Sequence, residues 1–284
     1  MINGYILETL KQNNVNDAIS FENTLREVAQ KIVLYALSRT SFFRKASFYG
    51  GTCLRIFHSL QRFSEDLDFN ITQKDTDFSW NDYTGACLDT LESYGLDAEI
   101  TSKPEYDTGE IRRRYVKIAC ADLAREYFNK DMFHKDKKVS IKLEVSTWYK
   151  EGARYSSEIL NAPTLSSVRC HDMPTLFAGK LSAVINRSWG NRTKGRDFYD
   201  YVYYISLGVK YNLEYIKHSL AMSMEIDLDD ITDARIKQWL KERFESVNYE
   251  QIMADIYPFV LEGNTIQSIN KDLLLATVDK IQCE

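Results

Sequence analysis

The hydrophobic period of this chain changes once, and that change limits the architectures open to it. From Asp66 to Ile71, with Asp66, Asp68 and Asn70 on the open face, and again from Lys138 to Trp148, apolar and polar residues alternate. A period of two marks a strand with one buried and one open face. Two more stretches, Leu96 to Ser102 and Ile111 to Cys120, read as extended, the second with Tyr115, Val116 and Ile118 as apolar bulk. After Asp172 the apolar residues recur at helical spacing instead. Helices are expected over Met173 to Arg187, Gly195 to Leu207, Leu213 to Met222, Asp233 to Phe244 and Ile266 to Ile281. Gly208 would close the second of these. Earlier, Ser20 to Leu37, with Ser20 as N-cap, and Trp80 to Tyr94 also read as helical. Interleaved strands and helices followed by helices alone make an α+β fold, a mixed sheet with flanking helices and then a helical C-terminal domain. The polar segment from Lys150 to Ser167 is the natural junction, which gives domains of 1–165 and 166–284.

Composition narrows the setting. With 44% hydrophobic and 27% charged residues, the chain has ordinary globular usage. The formal net charge of -5 argues against a protein that is basic all over and coats nucleic acid, and leaves room for local basic patches. Five cysteines stand far apart, with no C-x-x-C pair, so neither a zinc site nor a disulfide framework is signalled. No apolar run approaches the roughly 18 residues of a membrane span, and the first residues lack a signal pattern. A cytoplasmic protein with no membrane partner is the expectation.

The chemistry gathers in Gly50 to Phe69. Asp66 and Asp68, two apart on a strand, put their side chains on one face about 7 Å apart at the backbone, close enough to share a metal ion. Magnesium takes oxygen ligands and keeps substrate phosphates in its shell. Gly50 and Gly51 precede a helical pattern from Thr52 to Gln61, whose N-terminal amides favour an anion, and Thr52 adds a hydroxyl. Glu144 is the candidate third carboxylate, provided that its strand lies beside the Asp66 strand; two metals about 3.5–4 Å apart need flanking and shared acids. Lys180 falls inside the apolar arc of its helix with Leu176, Phe177, Leu181 and Val184, where an ammonium needs a partner or a cleft. Arg196, Asp197 and Asp200 open the next helix, after a loop carrying Arg187, Arg192 and Lys194.

Each feature has a plainer counterpart: a solvated strand face for D-x-D, a tight turn for the glycines, a snorkelling lysine for Lys180, and dipole-favoured acids for Asp197 and Asp200. The basic clusters Arg112–Arg114 and Lys135 to Lys138 are best read as solvated faces, which could hold an RNA backbone only if they border a cleft.

Taken together, F-Y-G-G-T-C-L-R-I-F-H-S-L-Q-R-F-S-E-D-L-D-F, I-K-L-E-V, L-F-A-G-K-L-S-A and R-D-F-Y-D-Y resemble the successive motifs of the AbiEii/AbiGii-type nucleotidyltransferase toxins, within the DNA polymerase β-like superfamily. The resemblance spans Phe48 to Tyr201. It implies a nucleotidyltransferase-type sheet, with the helical domain completing the active-site cleft. The expected reaction is transfer of a nucleoside monophosphate from an NTP to an acceptor hydroxyl, with tRNA as the foremost acceptor. The expected setting is the toxin of a toxin–antitoxin or phage-defence system with a cognate antitoxin. It carries catalytic roles to Asp66, Asp68, Glu144, Lys180 and Asp197. Nucleotide contacts fall to Gly50, Gly51, Thr52, Arg55, Arg62, Ser64, Lys180 and Arg196. Two Mg2+ ions, with Mn2+ as the alternative, fall to Asp66, Asp68 and Glu144. Other acceptors, a protein or small-molecule hydroxyl, stay open, as does a non-catalytic nucleotide-binding module on the same fold.

Overall fold

Alternating apolar residues build the central sheet, and a computed structural model shows where each strand lies. It describes residues 2–74, 77–187, 194–260 and 269–284. Arg192 and the start of the helix expected from Ile266 fall outside them. The chain forms two compact units. One comprises Met1–His58, Phe63–Tyr149 and Ser157–Cys170, and the other Ser59–Arg62, Lys150–Ser156 and His171–Glu284. The helical unit thus owns a four-residue piece of the N-terminal half.

The first unit contains, in chain order, α1 (Gly4–Gln12), α2 (Ala18–Ser38), α3 (Phe42–Lys45), β1 (Ala46–Tyr49), α4 (Gly50–Phe57), β2 (Asp66–Ile71), α5 (Asn81–Ser93), β3 (Ala98–Thr101), β4 (Ile111–Ala119), α6 (Ala121–Phe128), β5 (Lys138–Ser146), and most of β6 (Tyr155–Leu160) and β7 (Ser166–His171). Among the described residues these strands form one sheet in the order β3-β4-β5-β2-β1-β7-β6. β2 runs parallel to β5 and antiparallel to β1, and β4 is antiparallel to both β3 and β5.

Leu67 and Phe69, Val116 and Ile118, and Ile141, Leu143 and Val145 are all buried, as their alternation requires. Phe42 meets Phe69, Trp80 and Tyr83 at ring distances of 4.8, 5.5 and 5.1 Å, the aromatic centre of this core. α2 packs on α5 and β5. It starts one turn earlier than its apolar pattern suggests. Asp17 is the N-cap and Ser20 its reciprocal partner: Ser20 donates its amide to Asp17 Oδ1 at 2.7 Å, and Asp17 returns its amide to Ser20 Oγ at 3.2 Å.

Three expectations differ from the structure here. The Lys150 to Ser167 stretch, expected as a polar junction, holds β6 and the start of β7. β7 pairs with β1 at Phe48↔Cys170, and β6 ends the sheet with a mostly open pattern, so neither announces itself by periodicity. Asn70, expected on the open face, is buried, because its amide donates to the Ser146 and Trp148 carbonyls at 3.1 and 2.8 Å. The helix expected from Thr52 to Gln61 stops at Phe57. Ser59 then takes φ 60, a left-handed value that ends helical propagation.

The second unit is helical: α7 (Met173–Asn186), α8 (Gly195–Ser206), α9 (Leu213–Met224), α10 (Asp233–Ser246), α11 (Tyr249–Ile256) and α12 (Lys271–Val278). Asp172, Asn212, Thr232, Asn248 and Asn270 each cap a helix by accepting a backbone N–H two or three residues into it. α8 ends as expected in a left-handed Gly208, whose amide bonds to Ile205 O while that of Val209 bonds to Tyr204 O. Phe177 stacks on Tyr204 at 4.7 Å, and Tyr201 and Phe198 meet Phe244 at 5.1 and 6.0 Å. No helix among the described residues is long and apolar enough to cross a membrane.

α8 begins at a close backbone crossing. A Cβ on Gly195 would overlap the Ile252 carbonyl oxygen and lie 2.9 Å from Ile252 Cα. Backbone cannot yield as a flexible side chain does. Gly195→Ala should therefore lower stability to urea by about 1–3 kcal/mol or more. Gly85→Ala, on α5 with open space around its Cβ, should change it by no more than about 1 kcal/mol, in the stabilising direction.

Candidate active site

In the first unit the site follows from register. β2 and β5 pair so that Asp66 stands opposite Lys142 and Asp68 opposite Glu144. β5 and β4 pair so that Glu144 faces Arg113 and Lys142 faces Tyr115. Residues opposite one another in a sheet share a face, so Asp66, Asp68, Lys142, Glu144 and Arg113 emerge together. The condition attached to Glu144 is therefore met: its strand lies beside that of the two aspartates.

The charges on this face are compensated. Glu144 accepts from Arg113 Nε at 2.7 Å with one oxygen and pairs with Lys142 Nζ at 2.9 Å with the other. Lys142 Nζ also lies 3.3 Å from Asp66 Oδ2. Burial works to raise the Glu144 pKa, but Lys142 and Arg113 outweigh it and hold the carboxyl below its ordinary value. Burial likewise works against charge on Lys142, and Glu144, Asp66 and Asp68 together raise its pKa. Among the described residues, no three His, Cys, Asp or Glu side chains gather into a metal-binding group. The two cations that engage Glu144 account for its not closing on the aspartates. Arg113, read from sequence as part of a solvated basic cluster, instead pairs with Glu144, while the signal for Lys142 in the sequence is K-x-E at the same two-residue spacing as D-x-D.

The donors themselves suit a hard divalent cation: carboxylate oxygens on one open face, with an ammonium already drawn between Asp66 and Glu144. Gly50 belongs to the same place. It opens α4 with φ 83, and a Cβ on it would lie 2.9 Å from Asp68 Oδ2. Only glycine combines that backbone angle with that approach.

The remaining motif residues of this unit are tied inward. Thr52 is buried and donates its hydroxyl to the Asp66 carbonyl, bracing α4 on β2. Arg55 donates to Glu27 Oε2 at 2.8 Å and lies over the Phe63 ring at 5.0 Å, linking α4 to α2. Gly51 is in the first turn of α4, and Ser64 offers its carbonyl to Gln30 Nε2 at 3.0 Å.

In the second unit a buried ion network joins α7 and α8. Arg62 grips Asp200 with two bonds of 2.7 Å. Lys180 Nζ reaches Asp197 at 2.8 Å and Asp200 at 2.7 Å, and Arg187 adds a further bond to Asp197. Lys180 thus has the partners that its place in an apolar stripe demands. Arg62 and Asp200 are 2% and 0% exposed, so this arginine braces the unit from within. Arg196 lies over Phe259 at 4.2 Å and 3.9 Å from Asp255. Burial would raise the Asp197 pKa, but Lys180, Arg187 and Lys194 bring it down to about 2. Asp200 is lowered too, by Arg62 and Lys180 against its burial.

Because the folded pKa of Asp197 lies below its ordinary value, its contribution is complete above about pH 4 and is lost as the pH falls toward 2. That contribution is worth about 2 kcal/mol. Urea unfolding at a series of pH values should show Asp197→Asn losing about 2 kcal/mol less than wild type between pH 6 and pH 2. Asp200→Ala, which strands the buried Arg62, should cost about 3–5 kcal/mol at neutral pH.

Comparison with solved structures places this fold beside MenT4, the nucleotidyltransferase toxin Rv2826c from Mycobacterium tuberculosis H37Rv. The match has 15% identity and a TM-score of 0.54, covering 98% of this chain and 90% of that one. JHP933 from Helicobacter pylori matches with 18% identity and a TM-score of 0.49, covering 90% and 88% of the two chains. Among curated proteins no relative matches. Residues 32–270 match the family described as nucleotidyl transferase AbiEii toxin, type IV TA system, and the chain belongs to that family of nucleotidyltransferase toxins.

Proposed function

We propose that this nucleotidyltransferase is metal-dependent and moves a nucleoside monophosphate from an NTP to a hydroxyl of RNA, with tRNA as the acceptor. It would act in the cytoplasm as the toxin of a phage-defence pair, held in check by a cognate antitoxin. The observation that carries the metal reading is the register of β2 on β5. It sets Glu144 beside Asp68 on the face that also bears Asp66, with Gly50 against Asp68. The tRNA reading rests on family resemblance, and so does the role in phage defence.

Asp66, Asp68 and Glu144 are the residues that would hold the metal. A divalent ion there would neutralise phosphate charge and favour the ionised acceptor hydroxyl. The acceptor oxygen forms its bond to the α-phosphorus as the bond to pyrophosphate breaks, and a carboxylate of this face accepts the hydroxyl proton. Gly50 and Gly51 let backbone approach a phosphate without side-chain interference. Lys180 supplies positive charge, with Asp197 and Asp200 fixing its ammonium in one orientation.

The test is transfer of label from each α-labelled NTP to total tRNA in the presence of Mg2+ or Mn2+. Asp66→Asn and Asp68→Asn should each lower transfer by about 10²–10³-fold or more, and Lys180→Met by a similar factor. Label appearing on protein or on a small molecule, with RNA unlabelled, would move the acceptor to those classes. Transfer unchanged by chelation or by Asp66→Asn and Asp68→Asn would overturn the metal reading.

A further inference from the structure

The acidic face does not await a cation bare. Asp66, Asp68 and Glu144 place three carboxylates on neighbouring strands, and Lys142 and Arg113 return two positive charges to them. The two cations are not equivalent. Among the described acids, the Arg113 guanidinium pairs with Glu144, through Oε1. Lys142 spans two acids, 2.9 Å from Glu144 Oε2 and 3.3 Å from Asp66 Oδ2. Its position is set by the sheet: it is the β2–β5 register partner of Asp66 and lies two residues before Glu144.

A divalent ion bound by these acids needs their oxygens at about 2.0–2.6 Å, and two of those oxygens are engaged by the lysine ammonium. An ion of charge +2 and an ammonium cannot occupy neighbouring positions at a few ångströms without strong repulsion. One must leave. Lysine is suited to leave, being a point charge on a flexible four-carbon stem, and its side chain is 27% exposed, so a route to solvent exists.

We propose that Lys142 is a built-in counter-ion, which a divalent cation must displace from between Asp66 and Glu144, and that it thereby sets the cation concentration at which the site loads. The inference rests on the metal reading above. Without a divalent ion, Lys142 relieves repulsion among the acids and stabilises the empty face. Once displaced, its ammonium is released from the carboxylates and becomes available to the phosphates that accompany the metal.

The experiment reads metal binding directly, without nucleotide or turnover. The full chain, stripped of divalent ions, is titrated with Mn2+, and free Mn2+ is followed by its electron paramagnetic resonance signal. Lys142→Met should bind Mn2+ about tenfold more tightly than wild type. Lys142→Arg, which keeps the charge, should bind no more tightly than wild type. Arg113→Met removes equal charge from the oxygen of Glu144 not shared with Asp66, and should tighten binding by less than about threefold. Lys142→Met should also melt at a lower temperature than wild type without metal and regain the difference with Mn2+. Lys142→Gln provides a second neutral variant, and far-ultraviolet circular dichroism confirms that each protein is folded.

If both neutral variants bind Mn2+ no more tightly than wild type while Asp68→Asn weakens binding, the counter-ion role is overturned and the metal reading survives. Equal tightening by Arg113→Met and Lys142→Met would reduce the effect to net charge and overturn displacement. If Asp66→Asn and Asp68→Asn leave Mn2+ binding unchanged, the metal reading fails and takes this inference with it.

Discussion

The parallel pairing of β2 with β5 is the constraint on which the acidic site depends. Side chains in a strand alternate at a strict period of two, so a slip of one residue would bury Asp66, Asp68 or Glu144 and expose Leu67 or Leu143. Burying an uncompensated carboxylate costs far more than any local gain could return. The apolar half of each strand therefore holds the register, and the polar half inherits a fixed spacing. The spacing of the charges on this face is a by-product of a well-packed core.

Charge compensation organises both units, to different ends. On the open sheet face the pairs are partly solvated and exchangeable, with Lys142 and Arg113 within reach of water. In the helical unit they are closed. Arg62, Lys180, Asp197 and Asp200 share their bonds in a buried network that gains little over an apolar core yet is expensive to break. Such a network specifies geometry more than it adds stability. It orients the Lys180 ammonium, which on an isolated helix would snorkel toward solvent.

How much of this was legible in the sequence depended on whether the partner of a residue is local. β2, β4, β5 and α7 to α10 announce themselves through periodicity, and Gly208 through the αL conformation that it alone accepts cheaply. β1, β6 and β7 are short or lie at the sheet edge and carry no clean alternation, so their pairing is a tertiary fact. α11 is short, and its only sequence marker is the Asn248 cap. For the site, D-x-D and its same-face geometry were readable, as was the demand of Lys180 for a partner. That Thr52 would donate to the Asp66 backbone, that Arg62 would face Asp200, or that Glu144 would be engaged by Arg113 and Lys142 was not readable, since each depends on which strand or helix arrives beside it.

The four residues Ser59–Arg62 also bear on how the protein is made. Arg62 and Asp200 lie 138 positions apart in the chain. At about 5–20 residues per second, a ribosome needs roughly 7–28 seconds to deliver the second after the first. Throughout that interval the arginine has no buried carboxylate to meet, and the helical unit cannot close around it. Closure of so long a loop is paid for late in folding, by contacts that exist only once α8 has emerged. A nascent chain of this protein therefore carries its acidic sheet well before it carries an assembled Lys180 network. For most of its own synthesis the newborn chain lacks the carboxylate that Arg62 will hold.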